Sequence, residues 1–118
     1  MRESILKTKS YDFALLIIKS YKLISSEKKE FTLSKQLLRS GTSIGANIRE
    51  AEFAQSNKDF ISKMSIALKE ANETDYWISL IHDSNYIDES TFKLLIFSNK
   101  ELIKMLVSTI NTMKSKTN

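Results

Sequence analysis

Apolar residues recur along this chain at spacings of three and four, and three short polar stretches interrupt them. The clearest series is Phe60, Met64, Ala67, Ala71, Thr74, Ile78 and Ile81. Its alternating four-and-three steps are a heptad seam, the pattern of a helix that packs in a bundle. Ser56-Asn57-Lys58-Asp59 comes close to a capping box at its start, and Asp83-Ser84-Asn85-Tyr86 ends it. A second helix is predicted from Thr32, with Phe31 as a hydrophobic staple, to a point near Gln55, with Leu33, Leu37, Ile44, Ile48 and Ala51 inward. A last helix follows the capping residue Asp88, with Phe92, Ile96, Asn99, Ile103, Leu106, Ile110 and Met113 as its seam. In the first helix Phe13, Ile17 and Ile24 share a face, but Leu15, Leu16 and Ile18 fill the others. The expectation is an all-α fold, an up-down-up-down antiparallel four-helix bundle. It forms a single domain over 1–118, with helices at about 4–24, 32–55, 57–83 and 89–114.

The run Ser40-Gly41-Thr42-Ser43-Ile44-Gly45-Ala46 is poor in helix formers, and each glycine costs about 1 kcal/mol relative to alanine. A helix break is one reading. The apolar phase continues unchanged across it, which favours a continuous helix whose small side chains let a neighbour approach closely.

Composition narrows the chemistry. The 118 residues include no proline, no cysteine and only two glycines, Gly41 and Gly45. Sheet folds need turn residues at each reversal, so the counts agree with a nearly all-helical chain. Without cysteine there are no disulfides and no thiolate metal sites. Two glycines cannot build a Gly-rich nucleotide loop. The longest apolar run, Phe13 to Ile18, is far too short to cross a membrane, and Met1 to Lys7 contains no signal-peptide core, so the expected compartment is the cytoplasm. The sequon Asn72-Glu73-Thr74 lies within a strong helical pattern and reads as chance.

Candidate sites follow by elimination. A di-iron bundle needs Glu-x-x-His on two helices. Glu70 and Glu73 have that spacing between them, but Ser79 stands three residues before His82, the one histidine, so no metal or other cofactor is expected. His82 is then a surface residue favoured by the helix dipole. It lies far from the Ser40–Ser43 cluster, which leaves no nucleophile–base pair, and the chain is not expected to be an enzyme. The predicted second helix carries a further stripe, Lys35, Arg39, Thr42, Ala46 and Arg49. Its three cations could follow a phosphate backbone, and the net charge of +4 permits this. If helices two and three turn back near Ser56, paired positions sum to about 112. Arg39 then meets Glu73 and approaches Glu70, so an internal ion pair competes with a phosphate contact, whereas Arg49 faces Lys63 and has no obvious acid. Asn47 and Asn99 interrupt apolar stripes, as residues that fix register do.

The stretch Gln36 to Ala51, with Arg39-Ser40, Ser43-Ile44, Ala46-Asn47-Ile48 and Glu50, resembles the bacterial four-helix-bundle family named after the 23S rRNA intervening-sequence protein. Ser56 to Phe60, Ser65 to Thr74 and Trp77 continue the resemblance over nearly the whole chain, with Ala51 standing where many members carry glycine. The family is similar to the accessory variability protein of diversity-generating retroelements, a pentameric bundle that binds nucleic acid and a reverse transcriptase. The resemblance implies a homopentamer and RNA or DNA as a partner, in a family whose biochemical role is poorly defined. A surplus of apolar residues on helices one and four, and Tyr76 beside Trp77, separately point to a homo-oligomer. Two functions follow: a nucleic-acid-binding oligomer using Lys35, Arg39 and Arg49, or an assembly module whose partner is another protein.

Overall fold

A computed structural model describes the backbone from Arg2 to Thr117 and the side chains of residues 5–116. Four helices, α1 (Arg2–Lys28), α2 (Thr32–Ala51), α3 (Asn57–Asp83) and α4 (Glu89–Thr117), form an up-down-up-down antiparallel bundle. Each helix touches its two neighbours around the ring, and the bundle measures 49 × 21 × 20 Å. No described helix is long and apolar enough to cross a membrane.

The connections are short because each helix end is closed locally. Lys29 takes a left-handed conformation, φ 54°, between α1 and α2. Glu30 rather than Phe31 caps α2: its carboxylate accepts from the backbone N–H of Thr32, Leu33 and Ser34 at 2.9–3.0 Å. Desolvation pushes the Glu30 carboxyl up, but the bonds from Leu33, Ser34 and Thr32 together outweigh it and hold its pKa below the ordinary value. Ser56 caps α3 through Asp59 N–H at 3.1 Å. Asn85, φ 66°, reverses the chain after α3, with Tyr86 N–H donating back to the Ile81 carbonyl. Asp88 accepts from Thr91 N–H at 2.8 Å ahead of α4.

The first helix runs beyond the expected boundary at Ile24, through Ser25 and Ser26, whose hydroxyls donate back to carbonyls of their own helix. Helix α2 stops at Ala51 instead of near Gln55, because residues 52 and 53 tighten into a turn that lets α3 start at Asn57. Helix α2 is continuous through Ser40–Ala46. Its two glycines serve α1. A Cβ on Gly41 would lie 2.7 Å from Ile17, and one on Gly45 would lie 3.3 Å from the Ser10 hydroxyl.

The α3 seam is buried from Met64 to Ile81, with Phe60 packed at its edge. The inward line of α1 is Leu6, Ser10, Phe13, Ile17, Ser20 and Ile24, a four-and-three series disguised by two serines. Each buried serine donates to a carbonyl of its own helix, to Lys7 and Leu16 respectively. Helix α4 departs from expectation. Leu95 and Leu102 are fully buried, whereas Ile96 and Ile103, one position later, are half-buried. The consecutive residues Leu94-Leu95-Ile96-Phe97 offer several apolar phases, and packing against α3 selects one. Asn99 is buried and donates to the Ala71 carbonyl at 2.9 Å, tying α4 to α3. Asn47 instead donates to Ser43 in its own helix and ties nothing across among the described residues.

Candidate nucleic-acid interface

The cationic stripe of α2 is an exposed edge, with Lys35 and Arg49 near its two ends. Their separation along the helix is about 21 Å at 1.5 Å per residue, so one small anion cannot engage both. Neither makes an ion pair among the described residues. Between them, Thr42 turns its hydroxyl onto the Leu38 carbonyl at 2.7 Å and Ala46 offers only a methyl group.

Arg39 is placed differently. Its guanidinium reaches Glu70 at 3.2 Å, pairs closely with Glu73, and donates through Nε to Gln36 at 3.1 Å. Glu73 also accepts from the Trp77 indole N–H at 3.2 Å. The antiparallel α2–α3 register brings these residues together, so the internal pair is the arrangement present. Lys63 pairs with Glu50 at 3.4 Å and leaves Arg49 free of it.

Beside Arg49 a cleft of about 1050 Å³ opens at the end of the bundle where α1 and α3 begin and α2 and α4 end. Arg49, Lys7, Tyr11, Glu52, Gln55 and Phe60 are among its lining residues. Lys7 and Glu52 pair within it at 2.8 Å. A groove of about 280 Å³ continues from it between α1 and α2, over Gly45, Ala46 and Ala14, and shares Lys7, Tyr11 and Arg49. Sequence reasoning missed Tyr11 and Phe60 because they lie on helices one and three, and only the fold brings them to Arg49. The spacing of Tyr11, four residues beyond Lys7, carried the available hint.

His82 is more than a surface residue. Its ring stacks on Phe92 at 3.8 Å, Nδ1 lies 2.9 Å from Asp83 and Nε2 lies 2.7 Å from Glu89. These bonds, from Glu89 first and Asp83 second, raise its pKa above the ordinary histidine value. The two carboxylates sit on opposite nitrogens and do not converge. Among the described residues no three His, Asp or Glu side chains form a metal-ligand set.

Comparison with known proteins agrees with this architecture. A solved protein of unknown function from Bacteroides thetaiotaomicron, assigned to the S23 ribosomal protein family, superposes with a TM-score of 0.92 at 51% identity. The match covers 94% of this chain and 99% of that one. No curated protein matches. Residues 2–108 match the model of the 23S rRNA-intervening sequence protein family. With that match spanning most of the chain, and a half-identical relative of the same all-helical shape, the chain belongs to the 23S rRNA-intervening sequence protein family.

Proposed function

We propose that the protein is a non-enzymatic, homo-oligomeric helical bundle of the cytoplasm that holds RNA or DNA along the cationic edge of α2. The observation that carries this reading is that Lys35 and Arg49 stand exposed on one edge with no acidic partner among the described residues. Arg39 contributes little, because Glu70 and Glu73 already neutralise it. Exposed Leu15, Leu23, Leu94 and Phe97 support self-association, and five copies is the number the family resemblance implies. A closed ring would repeat the edge around one axis and raise avidity without a new contact.

Fluorescence anisotropy with mixed-sequence RNA and duplex DNA at two salt concentrations tests the reading. Binding is expected to be weak per subunit, indifferent to sequence and salt-sensitive. Each lost contact should lower the slope of log affinity against log salt by roughly 0.9 on duplex or 0.7 on a single strand. The informative variants are Lys35→Ala, Arg49→Ala and their double, confirmed by sizing to keep the wild-type assembly. Arg39→Ala is unsuitable, since it strips Glu70 and Glu73 of their partner. If wild type binds neither polymer at low salt, the nucleic-acid reading fails. An assembly module for a protein partner then takes its place, a reading favoured by the committed Arg39 and by the exposed Leu94 and Phe97.

A further inference from the structure

The cleft at the end of the bundle has a chemistry of its own, distinct from a charged edge. Among the described residues its charged lining side chains are Lys7, Arg49 and Glu52, and the 2.8 Å pair between Lys7 and Glu52 cancels two of them. Arg49 has no acidic partner among the described residues, and its planar fork suits two oxygens of one phosphate. Tyr11, 55% exposed, offers a ring from α1. Phe60 offers another from α3, anchored by its packing on the core. Gln55 and Asn57 also line the cleft, and their amides can donate and accept hydrogen bonds. At about 1050 Å³ the space is ample for one small ligand. One cation, two aromatic faces and two amides match one phosphate joined to one flat, polar-edged ring.

We propose that this cleft binds a single nucleotide unit, with the phosphate on Arg49 and the base against Tyr11 and Phe60. The unit is either a free nucleotide or an unpaired nucleotide of a single strand, since a duplex keeps its base faces stacked inside. For the polymer form the inference rests on the nucleic-acid reading above; for the free nucleotide it stands apart from it. The Lys7–Glu52 pair lies at the same site, and Lys7 can turn from Glu52 to a second phosphate oxygen. A ligand lacking the phosphate or the ring would satisfy only half of the lining.

The test uses the full chain and a labelled single-stranded RNA octamer of mixed sequence, competed by 5′-AMP, ribose 5-phosphate and inorganic phosphate. Direct titration of AMP by calorimetry accompanies it. AMP is expected to displace the octamer at lower concentration than ribose 5-phosphate, which separates the base contact from the phosphate contact. Tyr11→Ala should weaken both AMP and octamer about fivefold or more, the weaker end of what base–aromatic stacking is worth. Tyr11→Phe should restore binding. Arg49→Ala should lower the salt slope for the octamer by about 0.7, and Lys35→Ala should leave AMP binding unchanged. Because Tyr11 is exposed, its variants are expected to fold, and circular dichroism checks this.

If Tyr11→Ala changes nothing while Lys35→Ala and Arg49→Ala weaken the octamer equally, the strand lies along the α2 edge: the cleft proposal falls and the proposed function stands. If AMP binds in a Tyr11-dependent way and no polymer binds, the cleft proposal holds for free nucleotides and the nucleic-acid reading falls. If neither AMP nor RNA binds, the cleft proposal falls, and the nucleic-acid reading falls with it when duplex DNA also fails to bind.

Discussion

Along the α2–α3 seam the side chains are small where the helices meet and charged where they emerge. Ser40, Ala67, Ala71 and Thr74 are buried, the Ser40 and Thr74 hydroxyls meet at 2.9 Å, and Arg39 closes the outside on Glu70 and Glu73. The α1–α4 seam is the reverse. Lys9 and Glu101 make a half-buried pair at 3.2 Å. Leu94 and Phe97, on the face of α4 that carries Glu101, remain 52% and 68% exposed. Ile5 and Leu23 of α1, in helical register with Lys9, are also exposed. Small residues bring two helix axes together and let one charged cluster seal the line between them. Large apolar residues on the outer flanks leave a surface that water does not favour.

The sharpest way to break this contrast is to enlarge the tight seam and dilute the open one. Ala71→Leu inserts three heavy atoms at a fully buried position, and overpacking of that kind costs roughly 1–3 kcal/mol or more. Urea denaturation should show it as a lower midpoint with little change in slope. The paired Leu94→Gln and Phe97→Gln variant should leave helicity intact and alter the fold itself by no more than about 0.5 kcal/mol. If that face is where copies meet, light scattering should report a smaller particle for the pair. An unchanged particle size would put self-association elsewhere, and an unchanged midpoint for Ala71→Leu would mean that α2 and α3 are not closely fitted.

Asn99 sharpens the comparison with the opposite sign. Its amide donates to Ala71, but its Oδ1 is buried without a partner. Ala71 is mid-helix, and its carbonyl keeps its intrahelical bond when the side chain goes. Asn99→Leu therefore removes a buried orphan and strands nothing, and should be neutral to stabilising by about 1 kcal/mol in the same denaturation assay. A loss of stability would show that the Asn99–Ala71 bond contributes more than the orphaned oxygen costs.

The two seams also differ in how much of them the sequence discloses. The α3 seam is legible because its seven positions, apolar or small, keep one unbroken four-and-three phase. The register that pairs Arg39 with Glu73 follows from a single reversal at Ser56. The α1 seam is obscured at Ser10 and Ser20, whose hydroxyls are satisfied within their own helix and so can be buried like small apolar groups. In α4 the phase is ambiguous, since four consecutive apolar residues fit several faces and only contact with α3 decides. The candidate site divides along the same line. The cations of α2 are visible as spacing on one helix, whereas Tyr11, Phe60 and Arg49 share a cleft through tertiary placement alone.

With α1 holding α4 lightly, the attachment of α4 rests on α3 and on the turn between them, where His82 stacks on Phe92 and reaches Glu89. Both ring nitrogens face carboxylates, and only the imidazolium can donate to both. Folding therefore raises the histidine pKa, through the bond to Glu89 first and that to Asp83 second. The folded state binds the proton more tightly than the unfolded one. Its stabilisation is fully present below the ordinary histidine pKa of about 6.5. It fades as pH rises through the higher folded value. His82→Gln keeps a hydrogen-bonding group at the position and removes the titration. Urea midpoints of wild type and variant, followed across this range, should show the wild-type advantage largest at the acid end and shrinking as pH rises. The chemical shift of the His82 ring should titrate above the ordinary value in the folded protein. A pH-independent difference between the two proteins would mean that the neutral ring serves as well. The start of α4 would then be held by stacking on Phe92 and the Asp88 cap, with no contribution from charge.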